Sequence, residues 1–144
     1  MQTSRTSLPD INVWVALVSD RHFHHARAAG WFRATGEAGA AFCRVTQMGF
    51  LRLLTNSHVM GDDVLSQRQA WRAYEQLASD ERVVFALEPP DIESVWKKLT
   101  QSDFGVTGRW TDTYIAAFAV LHNFRVVSFD RGFGRIAGLD AIIL

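Results

Sequence analysis

The sequence predicts an α/β fold, a mostly parallel sheet of about five strands with helices on both faces. Three observations carry that reading. Short β-prone runs recur along the chain, segments with helical apolar spacing separate most of them, and turn-forming or acidic residues stand where the runs stop.

The first strand is expected to end near Asp10, with a helix from about Asn12 through Val13-Trp14-Val15-Ala16-Leu17. Its propensity is weak, because Thr3 to Ser7 are polar. His22-Phe23-His24-His25 opens a second helix running to about Ala34, with Ala28, Trp31 and Phe32 inward. Three His in this run invite a metal reading, but no Cys or further His on the helix completes a zinc set, so polar packing at a helix start is preferred. Ala41 to Val45 is the second strand, and Thr46 is read as the cap of a helix that places Gln47 in its first turn and Met48, Phe50, Leu51 and Leu54 on an apolar face. Asp62 and Asp63 read as solvated acids before a helix from about Val64 to Ala78, with Leu65, Ala70, Trp71, Tyr74 and Leu77 toward the core. Arg82 to Leu87 is the third strand. Pro89-Pro90 stops it and leads into a helix from Asp91 to about Thr100, followed by a loop to Arg109.

The most informative stretch follows. Ile115, Ala116, Ala119 and Val120 recur at helical spacing, Thr111 is placed to cap the open N–H groups, and Asp112 sits in the first turn, where the helix dipole favours a carboxylate. Arg125 to Phe129 is a fourth strand that stops at Asp130-Arg131-Gly132, and Ala141 to Leu144 is a fifth.

At 144 residues the chain is expected to be a single domain spanning 1–144, and its 48% hydrophobic content supplies one core. No run approaches the roughly 18 apolar residues of a membrane span. MQTSRTSLPD has no apolar core of a secretory signal, and Cys43 is the only cysteine, so a cytoplasmic location is expected. A formal net charge of zero argues against gripping nucleic acid through bulk charge, while leaving room for a local basic rim.

Asp10, Asp112 and Asp130 stand at equivalent places, at strand ends or a helix start, and Gln47 occupies a fourth. Each has a plain alternative, and Asp10 taken alone reads first as an N-cap. If the first and fourth strands are neighbours, the carboxylates converge in one crevice, where ligands of such folds sit. Converging carboxylates repel unless a cation joins them, and hard oxygen ligands select Mg²⁺ or Mn²⁺. Such ions activate water and steady the charge of a phosphoryl displacement.

Five segments, LPDINVWVAL (8–17), HFHHARAAGWF (22–32), TQMGFLRLLTN (46–56), TDTYIAAFA (111–119) and SFDRGF (128–133), resemble in order those of PIN-domain proteins, in particular VapC-type toxins of bacterial toxin–antitoxin pairs. The resemblance implies a three-layer α/β/α sandwich and a Mg²⁺- or Mn²⁺-dependent endoribonuclease leaving 5′-phosphate and 3′-hydroxyl ends. It also implies a homodimer, kept silent by a cognate antitoxin protein. Carried over residue by residue, Asp10, Asp112 and Asp130 match the metal-binding acids. Asn12 matches the polar residue two places after the first acid, expected to hold the site's hydrogen-bond network, and Ser128 the small hydroxyl residue before the last.

Gln47 departs from the pattern, since many PIN nucleases carry Glu there. As a candidate ligand it offers oxygen without charge, so Gln47→Glu is expected to tighten Mn²⁺ binding if Gln47 belongs to the site. Arg109, Arg131 and Arg135 flank the acids and are candidates for an RNA-phosphate rim. Trp110 is assigned to the core in preference to base stacking. The alternative function is a PIN-fold module that binds RNA or protein and cuts weakly or not at all. A DNA nuclease would share the chemistry, but no added DNA-binding element is present.

Overall fold

The computed structural model describes residues 5–101 and 109–144. Five strands, β1 (Ser7–Pro9), β2 (Ala40–Phe42), β3 (Val83–Phe85), β4 (Arg125–Ser128) and β5 (Ala141–Ile143), form one sheet in the order β3-β2-β1-β4-β5, and every pairing is parallel. The polar flank of β1 does not prevent a strand, because β1 is central and all three of its residues are buried.

Helices cover both faces. Helices α1 (Ile11–Val18), α2 (His25–Ala34), α3 (Arg44–Leu54) and α5 (Gln67–Ala78) lie on one side, with a short α4 (Ser57–Met60) between the last two. There Trp14, Phe42, Phe50 and Leu54 form one buried cluster, and Val13, Ala16, Ala28 and Val127 form another. Helices α6 (Ile92–Gln101) and α7 (Trp110–His122) cover the other face, where Leu8, Ala41 and Val126 meet Ile92, Ile115 and Phe118. Residues 113–119 of α7 are all buried, so this helix is enclosed between the sheet and α6. The result is the α/β/α sandwich expected. The loop expected before Arg109 falls largely on 102–108, outside the described residues.

The sequence β1-β2-β3 runs outward on one side of β1, and the chain then crosses to lay β4 on the other. The topological switch point is therefore between β1 and β4, and a crevice is expected beyond their carboxyl ends. Pro9 shapes it. Ser7 N–H bonds toward β2 (Gly39 O, 3.0 Å), while Asp10 N–H bonds toward β4 (Val127 O, 2.8 Å). Pro9 shares the orientation of Ser7, so its missing N–H falls on the β2 side. Pairing of β1 with β2 is correspondingly confined to Ser7, whereas all three β1 residues pair with β4.

Several local expectations are corrected. Helix α3 starts at Arg44, three residues early. Cys43 is its N-cap, and Thr46 lies inside the helix, its hydroxyl accepting the Cys43 N–H at 3.0 Å. Trp71 is 47% exposed, not a core residue. The histidine run is used structurally, with His25 Nδ1 bonded to Ala16 O (2.8 Å) and His24 stacked on Phe129.

Candidate active site

Asp10 leaves β1 and caps α1, so both of its sequence readings hold together. One oxygen accepts the Ile11 N–H at 2.7 Å, and the other accepts the hydroxyl of Ser128, across the β1–β4 pair, at 2.9 Å. Ser128 in turn accepts the Asp130 N–H at 2.9 Å, and Asp130 closes the turn by accepting the Gly132 N–H at 2.8 Å. One buried hydroxyl thus holds the first acid by its side chain and the last by its backbone.

Asp112 arrives from the other face, in the first turn of α7. Burial raises its carboxyl to about 6, with the charges of Asp10 and Asp130 adding to the rise and Arg109 opposing it. Asp10 is also raised, first by burial and also by Asp130, against the hydrogen bonds from Ser128 and Ile11. The three acids therefore lie near one another: Asp10 and Asp130 share Ser128, and Asp112 and Asp130 share Arg109. Arg109 stands between two of them, its Nη1 lying 3.3 Å from Asp130 Oδ2 and 3.7 Å from Asp112 Oδ2.

Other expected residues fall less centrally. Asn12 is exposed and makes no hydrogen bond to the acids among the described residues, and Ser128 holds the network in its place. Thr111 is exposed and does not cap α7, whose N-cap is Arg109. The hydroxyl of Thr113 instead accepts the Trp96 indole N–H at 3.0 Å and bonds to the carbonyls of Arg109 and Trp110. Arg131 and Arg135 are exposed on the 3₁₀ turn after Asp130 and form no ion pair among the described residues. Trp110 is not in the core. It is 67% exposed, two residues before Asp112, with its ring edge-on to Trp96.

Gln47 is buried, but its amide oxygen accepts a hydrogen bond from Arg44 Nη1. No hydrogen bond joins it to the acids among the described residues. A carboxylate here would pair with Arg44. Gln47→Glu is therefore expected to leave Mn²⁺ affinity within about twofold in titration calorimetry, because the new charge is neutralised locally. Tightening of tenfold would return residue 47 to the metal site.

The donor set suits a hard divalent cation: three carboxylates, all oxygen. A cation would also relieve the mutual repulsion that lifts Asp10 and Asp112. Among the described residues no three His, Cys, Asp or Glu side chains are drawn together as a ready ligand cage, consistent with Arg109 lying between Asp112 and Asp130.

A parallel α/β/α sheet with acids gathered at its switch point defines a PIN-like protein. The PIN domain family matches residues 8–139, and the chain belongs to that family. Ribonuclease VapC41 of Mycobacterium tuberculosis is 36% identical over 142 residues, covering 95% of this chain and 97% of its own. Ribonuclease VapC29 of the same organism is 30% identical, covering 96% of each. The fold is also that of VapBC2 from Rickettsia felis, solved bound to a fragment of its promoter DNA (TM-score 0.71, 13% identity, 96% of this chain and 98% of that one). M. tuberculosis VapC20, a sarcin–ricin loop cleaving toxin, is likewise similar (TM-score 0.68, 17% identity, 88% and 91%).

Proposed function

We propose that this protein is a VapC-type ribonuclease toxin, a single PIN domain that hydrolyses RNA phosphodiester bonds with Mg²⁺ or Mn²⁺. It is held silent by a cognate antitoxin and works as a homodimer in the cytoplasm. One observation supports the reading: Asp10 and Asp130 share Ser128, and Asp112 and Asp130 share Arg109, at the switch point of a chain that matches a ribonuclease along nearly its whole length. No helix among the described residues is long and apolar enough to cross a membrane.

Asp10, Asp112 and Asp130 would hold the ion, which when bound activates water and steadies phosphoryl charge. Ser128 keeps Asp10 and Asp130 in register. Arg131 and Arg135, exposed beside Asp130, suit the RNA backbone, and backbone contacts fix register without reading sequence. Trp110 offers a flat exposed face to an unpaired base. Trp110→Ala is expected to weaken RNA binding by about 1–3 kcal/mol, the usual value of one base–aromatic stack. Fluorescence anisotropy in a non-cleaving Asp112→Asn background measures it, and an unchanged affinity would return Trp110 to a packing role.

The direct test is cleavage of total RNA by purified, antitoxin-free protein with Mn²⁺ or with EDTA. Metal-dependent cutting that leaves 5′-phosphate ends supports the proposal. A folded protein that binds RNA and does not cut it favours the binding-module alternative, and preferential cutting of DNA favours the DNA nuclease.

A further inference from the structure

We propose that Arg109 is a built-in competitor of the metal, a guanidinium that occupies the ground between Asp112 and Asp130 and must be exchanged for the divalent ion before the acids can close on it. This rests on the reading of the site as a metal-dependent nuclease and adds an internal control on its loading.

The geometry carries the inference. A single nitrogen, Arg109 Nη1, reaches Asp130 Oδ2 at 3.3 Å and Asp112 Oδ2 at 3.7 Å. An ion such as Mg²⁺ draws oxygens to about 2.0–2.1 Å. Both carboxylates cannot adopt that distance while a guanidinium nitrogen spaces them. Arg109 and the ion therefore exclude each other at these two oxygens.

The exchange is easy on the arginine's side. Arg109 is the N-cap of α7, its side chain is 66% exposed, and Asp112 and Asp130 are its only ion-pair partners among the described residues. The arginine's end of both pairs is in solvent and holds no other element in place, so a divalent ion displaces the guanidinium without unfolding anything. Asp10 is the acid that Arg109 does not pair with. It is fixed by Ile11 and Ser128 and stands ready as the constant ligand. Asp112 and Asp130 are the two whose availability the arginine regulates.

The test is titration calorimetry with Mn²⁺ on the full chain without antitoxin, comparing wild type with Arg109→Gln, Arg109→Lys and Asp112→Asn. Removing the competing charge is expected to tighten Mn²⁺ binding by roughly fivefold to tenfold in Arg109→Gln. Arg109→Lys keeps the charge and should stay near wild type, separating competition from any change in folding. Asp112→Asn should lose most binding. Wild-type uptake that vanishes in Asp112→Asn but is unchanged or weaker in Arg109→Gln overturns this inference and leaves the nuclease reading standing. No uptake by any of the folded proteins overturns both. Uptake by Arg109→Gln alone supports the competition in its strongest form.

Discussion

Asp112→Asn should abolish RNA cleavage and make the protein more stable. The two effects have one cause. Burial and the neighbouring acids raise Asp112 to about 6, against 3.8 for the free group. The sign follows from proton linkage. Between those values the folded state binds more protons than the unfolded one, so stability falls as pH rises through the window. Below about pH 4 the carboxyl is neutral in both states and imposes no penalty. Above about pH 6 the folded protein carries the whole cost of a charge it disfavours. Asparagine removes it, and allowing for solvent screening at a half-buried group the gain at pH 7.5 is about 1–2 kcal/mol. Urea unfolding at pH 4.5 and pH 7.5 checks this. The mutant's advantage should be present at the higher pH and shrink at the lower. Equal stability of the two proteins at pH 7.5 would mean that Asp112 is not held against its charge. Cleavage should drop by three orders of magnitude or more, as when a group needed only for the chemistry is removed. Excess Mg²⁺ should raise the melting temperature of wild type and not of the mutant, because only a protein that binds the ion gains by mass action.

The placement of the three acids is legible in the sequence because each sits on a strong local signal. Asp10 precedes a helix, Asp112 lies in a first turn and Asp130 opens a tight turn after a β-branched run, and each signal fixes a carboxylate at an element end. Parallel topology then brings the ends together. What escaped depends on contacts that periodicity does not encode. Trp71 and Trp110 have the spacing of core residues, yet helical spacing gives a face without saying whether anything covers it, and both are exposed. Thr46 was the natural cap by residue type. A cysteine took that position, and the threonine hydroxyl was used one turn inside the helix. Gln47 was placed in the right turn, but its amide is held by Arg44 of the same helix, a bond that became possible because α3 begins three residues earlier than its threonine suggests. The bridging of Asp112 and Asp130 by Arg109 is likewise a fact of three dimensions, since a basic residue beside acids in sequence reads first as a rim for substrate.

Ser128→Ala should damage fold and site together, more than the loss of one hydroxyl suggests. Ser128 is fully buried, donates to Asp10 and accepts from the Asp130 N–H, so its removal leaves one buried group, the Asp10 carboxylate, and one part-buried group, the Asp130 N–H, short of a partner. Each unsatisfied group costs roughly 1–3 kcal/mol, and some relaxation toward solvent is open to Asp130, so a net loss of about 2–3 kcal/mol is expected. The carboxyl of Asp10 should also rise further, because the bond from Ser128 is the largest influence now lowering it. An acid that is less ionised and less firmly oriented makes a poorer ligand. Loss of an outer partner of this kind typically costs about 10–100-fold in metal affinity or activity. A double-mutant cycle with Asp10→Asn separates the network from the residue. If the serine acts through Asp10, the two losses should overlap by about 1 kcal/mol or more, since groups sharing one hydrogen-bond network do not add. Strict additivity would mean that Ser128 supports the Asp130 turn alone. A milder result in which stability falls while Mn²⁺ affinity holds would separate the scaffold from the chemistry and move the positioning of Asp10 to its other bond, the Ile11 N–H at the head of α1.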